Sequence, residues 1–483
     1  MNPGTSEWYM KTVAPHLPGI LEKSRWFSGK GKSIVRTDLL DYGADPSWEG
    51  LILALVQVTY DDGNTETYFL PQNAGKDYSQ PCTDASSSLQ FISLVQDAML
   101  QGGRIELEKG HMKGTCNENS EKIPLSTESL KPINTEQSNS SVVIGDKFIY
   151  KSFRKLSEGE NPDYSACSYL KCECSFQWVP EPVAKLSIES GGKVYHAGTL
   201  TRFIPNTCDG FSMAKMMVES ILGHHASGEH NVASRLEKSL LEHMEILGNA
   251  TAGMHNCFSR YTKNHEFAPE PITWHDTKKW SSDFLWILDS AMKAIEAYGK
   301  HLTGGNSDFA EQLLRKRDSI HSFAEPLERL VSLNIYKTRI HGDYHLGQTL
   351  LSEGNFYVID FEGEPMRPID YRKSKFMPMK DLGGMVRSID YAVEIAASSL
   401  ENKSGPGTHA QSLKNNLVQK LLDSYFRSYA PESPYLPQDL PMRNSVLRFF
   451  VAEKALYEVL YEIRNRPSFS WVPMSALNAL LHG

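Results

Sequence analysis

Several things are scarce in this 483-residue chain, and each scarcity removes a class of protein. Seven cysteines, an odd number without framework spacing, exclude a disulfide-stapled scaffold and point to a reducing compartment. No apolar run approaches the ~20 residues of a membrane helix, so no membrane partner is expected. A basic excess is missing too: 50 Lys+Arg stand against 58 Asp+Glu, a net charge of -8. That balance argues against a nucleic-acid partner but leaves room for a small phosphate ligand in a local basic pocket. The opening MNPGTSEWYMKTVAPHLPGI has none of the basic-then-apolar order of a secretion signal, so a cytoplasmic location is expected. Internal repeats are also lacking. What remains is an ordinary globular composition, 40% hydrophobic and 22% charged, over a length that divides into roughly three folding units.

Three stretches differ in pattern. Residues 1–100 pair a short helical start with strand-like runs, where LILALVQVTY and TETYFLP flank the turn signal Asp61-Asp62-Gly63-Asn64. Residues 101–205 open on a polar stretch, Gly102 to Ser141, and continue as β-rich segments, SVVIGDKFIYKSF and KVYHAGTLTRFIPN. Residues 206–483 carry apolar residues at helical spacing, for example Phe449, Leu456, Leu460 and Ile463. The expected class is therefore α+β, β-rich first and mainly helical afterwards.

One segment interrupts the helical part. Residues 340–362 read IHGDYHLGQTLLSEGNFYVIDFE, two strand-like runs around Glu353-Gly354-Asn355. A three-residue turn there would set Ser352 opposite Phe356 and Gln348 opposite Asp360, with Cβ atoms roughly 5 Å apart. An amide oxygen and a carboxylate at that distance suit one Mg²⁺, which takes hard oxygen ligands. Glu362 is a further candidate ligand. Asp343, five residues before Gln348, would stand beside the metal, where phosphoryl transfer needs a group to accept a hydroxyl proton. An acid, an amide at +5, a hairpin and a second acid form the catalytic and metal-binding loops of kinases. A kinase also needs a cation for the ATP phosphates on an earlier strand; Lys151, closing FIYK, fits, with Ser138, Asn139 and Ser140 ahead of it as a phosphate-covering loop.

HGDYHLGQTLL, YVIDFEGEPMRPID, DLGGMVRSIDYA, RWFSGKGK, EQSNSSVVIGDKFIYKSFRKL and EKALYEVLYEIRNRP resemble the signature of bacterial maltokinases, matching in the expected order from residue 25 to 467. The resemblance implies a bilobal protein-kinase-like fold with an N-terminal cap, and transfer of the ATP γ-phosphate to the anomeric hydroxyl of maltose for α-glucan synthesis. It implies ATP and Mg²⁺ as cofactors and trehalose synthase as a partner. Related kinases with this cap act on glucosamine, so that sugar is the second acceptor weighed; a non-catalytic binding module is the third reading. Residue by residue, Asp343 would be the base and a sugar contact, Gln348 and Asp360 metal ligands, and Lys151 a phosphate contact. Thr201 and Phe203 would belong to a hinge meeting adenine through backbone groups. His345, Glu458 and Arg466 would touch the sugar, although on helical spacing alone Glu458 would pair with Lys454.

Two departures stand out. The family's N-P-D-x-E motif, whose Glu pairs with the strand Lys, reads Asn161-Pro162-Asp163-Tyr164-Ser165 here, leaving Asp163, Glu173 or the phosphates to hold Lys151. The family's D-G-W-x-Y pattern reads Asp209-Gly210-Phe211-Ser212-Met213. Three features are set aside. Gly29-Lys30-Gly31-Lys32-Ser33 lacks the leading Gly and strand of a phosphate loop. Cys167, Cys172 and Cys174 lack a second ligand pair for zinc. Asp381 reads as an ordinary helix N-cap.

Overall fold

The run Leu51–Tyr60 is apolar at nearly every position because both faces of this strand are covered. In the computed structural model, which describes residues 4–79, 81–117, 129–133, 139–298, 305–400, 407–429 and 434–482, Leu51, Leu53 and Leu55 share a core with Phe91, Ile92, Val95 and Met99 of the helix Leu89–Gln101. Ile52, Ala54, Val56 and Val58 point the other way, into a core with Trp8, Tyr9, Leu17 and Leu21 from two short N-terminal helices. The strand is central in an antiparallel sheet ordered Ile34–Ala44, Leu51–Tyr60, Thr65–Asn73 and Lys155–Leu156. Thr59 pairs with Thr65 around the turn at 61–64.

A second, seven-stranded sheet is ordered Arg104–Glu106, His111–Cys116, Pro182–Ser190, Lys193–Arg202, Phe148–Ser152, Ser140–Ile144 and Leu130–Ile133. The helix Leu89–Gln101 starts at Ser88, whose hydroxyl accepts the N–H of Phe91. Gly114 lets that helix lie directly on the sheet, since a Cβ there would come within 2.0 Å of the Ala98 carbonyl oxygen. These sheets make up one compact unit, Met1–Lys171 with Pro180–Pro205.

The other unit, Cys172–Val179 with Asn206–Gly483, is built on the helices Gly210–Ala226, His230–Phe258, Trp274–Tyr298, Met379–Ser398, Gly407–Ser428 and Leu440–Asn465. Of the expected stripe on Leu440–Asn465, Phe449, Leu456 and Leu460 are buried and Ile463 packs at the margin. A small sheet of Cys208–Asp209, Thr349–Ser352 and Asn355–Val358 is set among these helices. The chain is thus α+β, with antiparallel sheets first and helices after. Among the described residues no helix is long and apolar enough to cross a membrane.

Candidate active site

The hairpin forms, with a register one residue from that expected. Ser352 pairs with Asn355 and Leu351 with Phe356, so the turn has two residues, Glu353-Gly354. Both have positive φ, 49° and 75°, the left-handed pair that matches the twist of a two-residue hairpin. Gln348 therefore faces Ile359, whose N–H donates to the Gln348 carbonyl at 3.0 Å. The expected neighbourhood survives because Asp360 turns back: at φ 66° it leaves the strand, and its carboxylate accepts the Gln348 side-chain N–H at 3.0 Å. Asp360 and Glu362 bring carboxylate oxygens within 4.8 Å of each other. Glu362 is also tied through its carbonyl to Arg372 at 3.0 Å. Two carboxylates and an amide that can turn its oxygen inward are the donor set a hard divalent cation takes.

Sequence reasoning misread Asp381. The helix begins at Met379, so Asp381 lies in its first turn with its side chain inward, fully buried, rather than at the cap. One oxygen accepts the N–H of His341 (2.8 Å) and the His255 Nε2–H (3.1 Å), the other the N–H of Gly342 (2.9 Å). Burial opposes its charge, but these donors and His255 hold the carboxyl below its ordinary value. His255 is itself fixed by the Tyr425 hydroxyl at 2.9 Å. The signal was present in Asp381-Leu382-Gly383-Gly384: a Cβ at Gly384 would lie 2.5 Å from the Tyr344 carbonyl oxygen, so the glycine brings the helix onto the loop. From the other side, His341 Nε2–H donates to the Ile359 carbonyl (2.9 Å), and Nδ1 accepts the N–H of Asp343 (3.3 Å). Asp381→Ala should lower the unfolding free energy by about 3 kcal/mol or more, because each buried donor left unmet costs about 1–3 kcal/mol. Urea unfolding checks this; a loss under about 1 kcal/mol would mean that the donors find other partners.

Lys454 is the residue the sequence placed wrongly and the structure places at the centre. Its ammonium donates to Asp343 at 2.8 Å and to Glu364 at 2.9 Å, not to Glu458 four residues on. Glu364 continues to Arg367 at 3.3 Å, and Glu453 accepts from Lys380 at 2.6 Å, so charges of alternating sign lie behind the loop. Burial raises the Asp343 carboxyl, but the Lys454 ammonium and then His345 outweigh it and pull the group down to about 2. Lys454 is held well above its ordinary range by Asp343 and Glu364 against its own desolvation.

The expected sugar contacts fare differently from one another. Burial, reinforced by Lys454 and His341 and opposed by Asp343 and Asp360, lowers the His345 imidazole, which is therefore neutral near pH 7. Glu458 accepts two bonds from Arg387, at 2.9 and 2.7 Å. Arg466 is turned onto Glu462 (2.6 and 3.0 Å), which also accepts the Tyr391 hydroxyl at 3.0 Å. Lys454, Glu458 and Glu462 recur every four residues, which puts them along one helix face, and Arg466 follows just past the end of that helix.

In the N-terminal unit Lys151 projects from Phe148–Ser152 and donates to Asp163 at 3.1 Å, both side chains less than one-fifth exposed. Asp163 thus supplies the acid that Ser165 cannot. Ser138 lies outside the described residues. Ser140 opens the strand Ser140–Ile144, faces Ser152, and its hydroxyl accepts from Arg154 at 2.9 Å. Asn139 immediately precedes that strand. Thr201 lies within the strand Lys193–Arg202, between Pro182 and Ile149, and the Phe203 N–H donates to the Lys147 carbonyl at 2.8 Å.

This fold has known counterparts. A solved structure of glucosamine kinase in complex with glucosamine, ADP and inorganic phosphate matches with a TM-score of 0.64 at 19% identity, covering 97% of this chain and 100% of that one. A second glucosamine kinase crystal structure matches at 0.65 and 18%, covering 97% and 99%. The chain therefore shares the fold of these glucosamine kinase structures. By sequence the chain is similar to the glucosamine kinases of Mycolicibacterium smegmatis (23% identical over 355 residues, 73% of this chain and 79% of the relative) and Streptacidiphilus jiangxiensis (24% over 350 residues, 72% of each). No protein-family model matches the chain. The likeness to maltokinases thus holds for the kinase-like fold, while maltose, the trehalose synthase partner and a role in glucan synthesis find no support in these relatives.

Proposed function

We propose that the chain is an ATP- and Mg²⁺-dependent sugar kinase whose acceptor is an amino sugar, glucosamine, rather than maltose. The observation that carries the reading is the meeting of Gln348 with Asp360 on one side of the hairpin, while Lys454 holds Asp343 ionised at the loop before it. Similarity to two glucosamine kinases favours the amino sugar over the disaccharide. Asp360, Gln348 and Glu362 would hold the metal, and bound Mg²⁺ would neutralise phosphate charge. Lys151, steadied by Asp163, adds a cation for the nucleotide phosphates.

Asp343 orients the acceptor hydroxyl. A carboxyl held near 2 does not strip a proton from a sugar hydroxyl in the ground state. In a loose transition state it need not, because the proton becomes acidic only as the new O–P bond forms. Asp343 then accepts it, while its fixed position supplies most of the advantage.

ADP release with MgATP, measured against glucosamine, maltose and glucose, tests the acceptor. Glucosamine should give a kcat/KM at least about tenfold above either alternative, the discrimination expected when a site is built around a polar group. A preference for maltose would restore the disaccharide reading. No turnover with any of them, despite MgATP binding, would leave a binding module.

A further inference from the structure

We infer that His196, a buried residue outside the transfer chemistry, positions the Lys151–Asp163 pair and so tunes how the chain holds ATP. The inference rests on the phosphate role proposed for Lys151. His196 lies on Lys193–Arg202, two residues before Gly198 and three before Thr199, which pair with Ser152 and Lys151. It is 5% exposed.

Its hydrogen bonds fix its tautomer. Nε2 lies 3.1 Å from the Gly198 carbonyl oxygen, which can only accept, so Nε2 carries the proton; the Thr199 hydroxyl is 3.0 Å away. Nδ1 is then an acceptor, and the N–H of Asn161 donates to it at 3.4 Å. Asn161 caps the short helix Pro162–Ser168, its side-chain oxygen accepting the N–H of Asp163 at 2.8 Å. One imidazole nitrogen thus reaches the acid that holds Lys151 through a single residue.

Two further contacts converge on the same ring. Phe153 meets it edge-on at 5.4 Å between centroids, and the Lys151 ammonium lies 5.6 Å from the centre of that Phe153 ring. Tyr164, next to Asp163, packs on the imidazole at 5.2 Å, and its hydroxyl is tied to Asn117 at 2.9 Å. The preceding loop is also anchored here, since the Gly159 N–H donates to the Val194 carbonyl at 2.8 Å. His196 is thus linked to the acid of the pair through Asn161 and to the ammonium through the Phe153 ring. This gives the Ser165 departure a physical meaning: with the usual Glu missing, the pair depends on where the N-terminus of this helix is held.

The test compares His196→Phe, which keeps a ring but no acceptor, with His196→Asn, whose amide oxygen can take the place of Nδ1. His196→Phe should raise KM for MgATP about tenfold, the scale of losing one bond that steadies a charged group. KM for the sugar and Tm should change little, and His196→Asn should recover most of the effect. Asp163→Asn should raise KM for MgATP as well, and adding His196→Phe to it should bring less than about a further twofold, since coupled residues do not add. The dissociation constant of MgATP by calorimetry gives the same comparison without an acceptor. Should Asp163→Asn raise these constants while His196→Phe leaves them alone, the role of His196 is overturned and the phosphate reading stands. Should neither Lys151→Met nor Asp163→Asn change them, the phosphate reading fails and takes His196 with it. A fall in Tm with both KM values unchanged would make His196 a packing residue and also overturn the assignment.

Discussion

Asp343→Asn is expected to lower kcat by about 10³-fold while leaving KM for ATP nearly unchanged, the size of effect associated with a positioned group that handles a proton. The amide keeps the shape of the side chain and can still accept from Lys454, so the loop fixed by Asp381 should keep its course. What disappears is the negative charge proposed to orient the acceptor hydroxyl and to take its proton. Pre-steady-state measurement of ADP formation separates the transfer step from product release, and the loss should fall on transfer. Turnover equal to the parent's would remove Asp343 from the chemistry, whatever else the site does.

Lys454→Met should produce a loss of a different kind. Lys454 and Glu364 are largely buried, with 13% and 5% of their side chains exposed, and removing the ammonium leaves two carboxylates facing each other without their cation. Breaking a buried pair in this way costs about 3 kcal/mol. The pH dependence carries the sign. In the parent the Asp343 carboxyl is lowered to about 2, against about 4 in an unfolded chain, so its contribution to stability is complete above pH 4 and is lost as pH falls toward 2. Without Lys454, burial acts unopposed by its strongest counter-influence and the carboxyl rises. Urea unfolding from pH 2 to 7 should show the parent losing stability over that lower window and the variant lacking this loss. The pH–rate profile should gain an acid limb at higher pH than the parent's. A variant with the parent's profile and stability would mean that another cation keeps Asp343 ionised.

What the sequence disclosed and what it withheld divide along physical lines. The meeting of Gln348 with Asp360 was legible because the two flank one hairpin, so local geometry nearly fixes their distance. The register was off by one because Glu353 accepts a left-handed backbone that glycine or asparagine usually provides, shortening the turn to two residues. Lys454 was misread for the opposite reason: its partners lie 111 and 90 residues away, and spacing on its own helix offered only Glu458. Asp381 was legible as an acid at a helix start but not as the anchor of a loop forty residues earlier. In the N-terminal unit the missing Glu at Ser165 pointed correctly to a substitute acid, and only the fold could choose Asp163 among the three possibilities.

Asp360 has a cost of its own. Its left-handed backbone, φ 66°, is one that a residue with a side chain adopts at an expense of about 1 kcal/mol, and glycine would adopt it freely. At this position durability and chemistry pull in opposite directions: the substitution that would relax the chain is the one that deletes the carboxylate. A lineage that stopped needing the reaction would therefore be under no pressure to keep the acid here and some pressure to discard it. An aspartate at this strained position is what selection for the proposed phosphoryl transfer would keep in place.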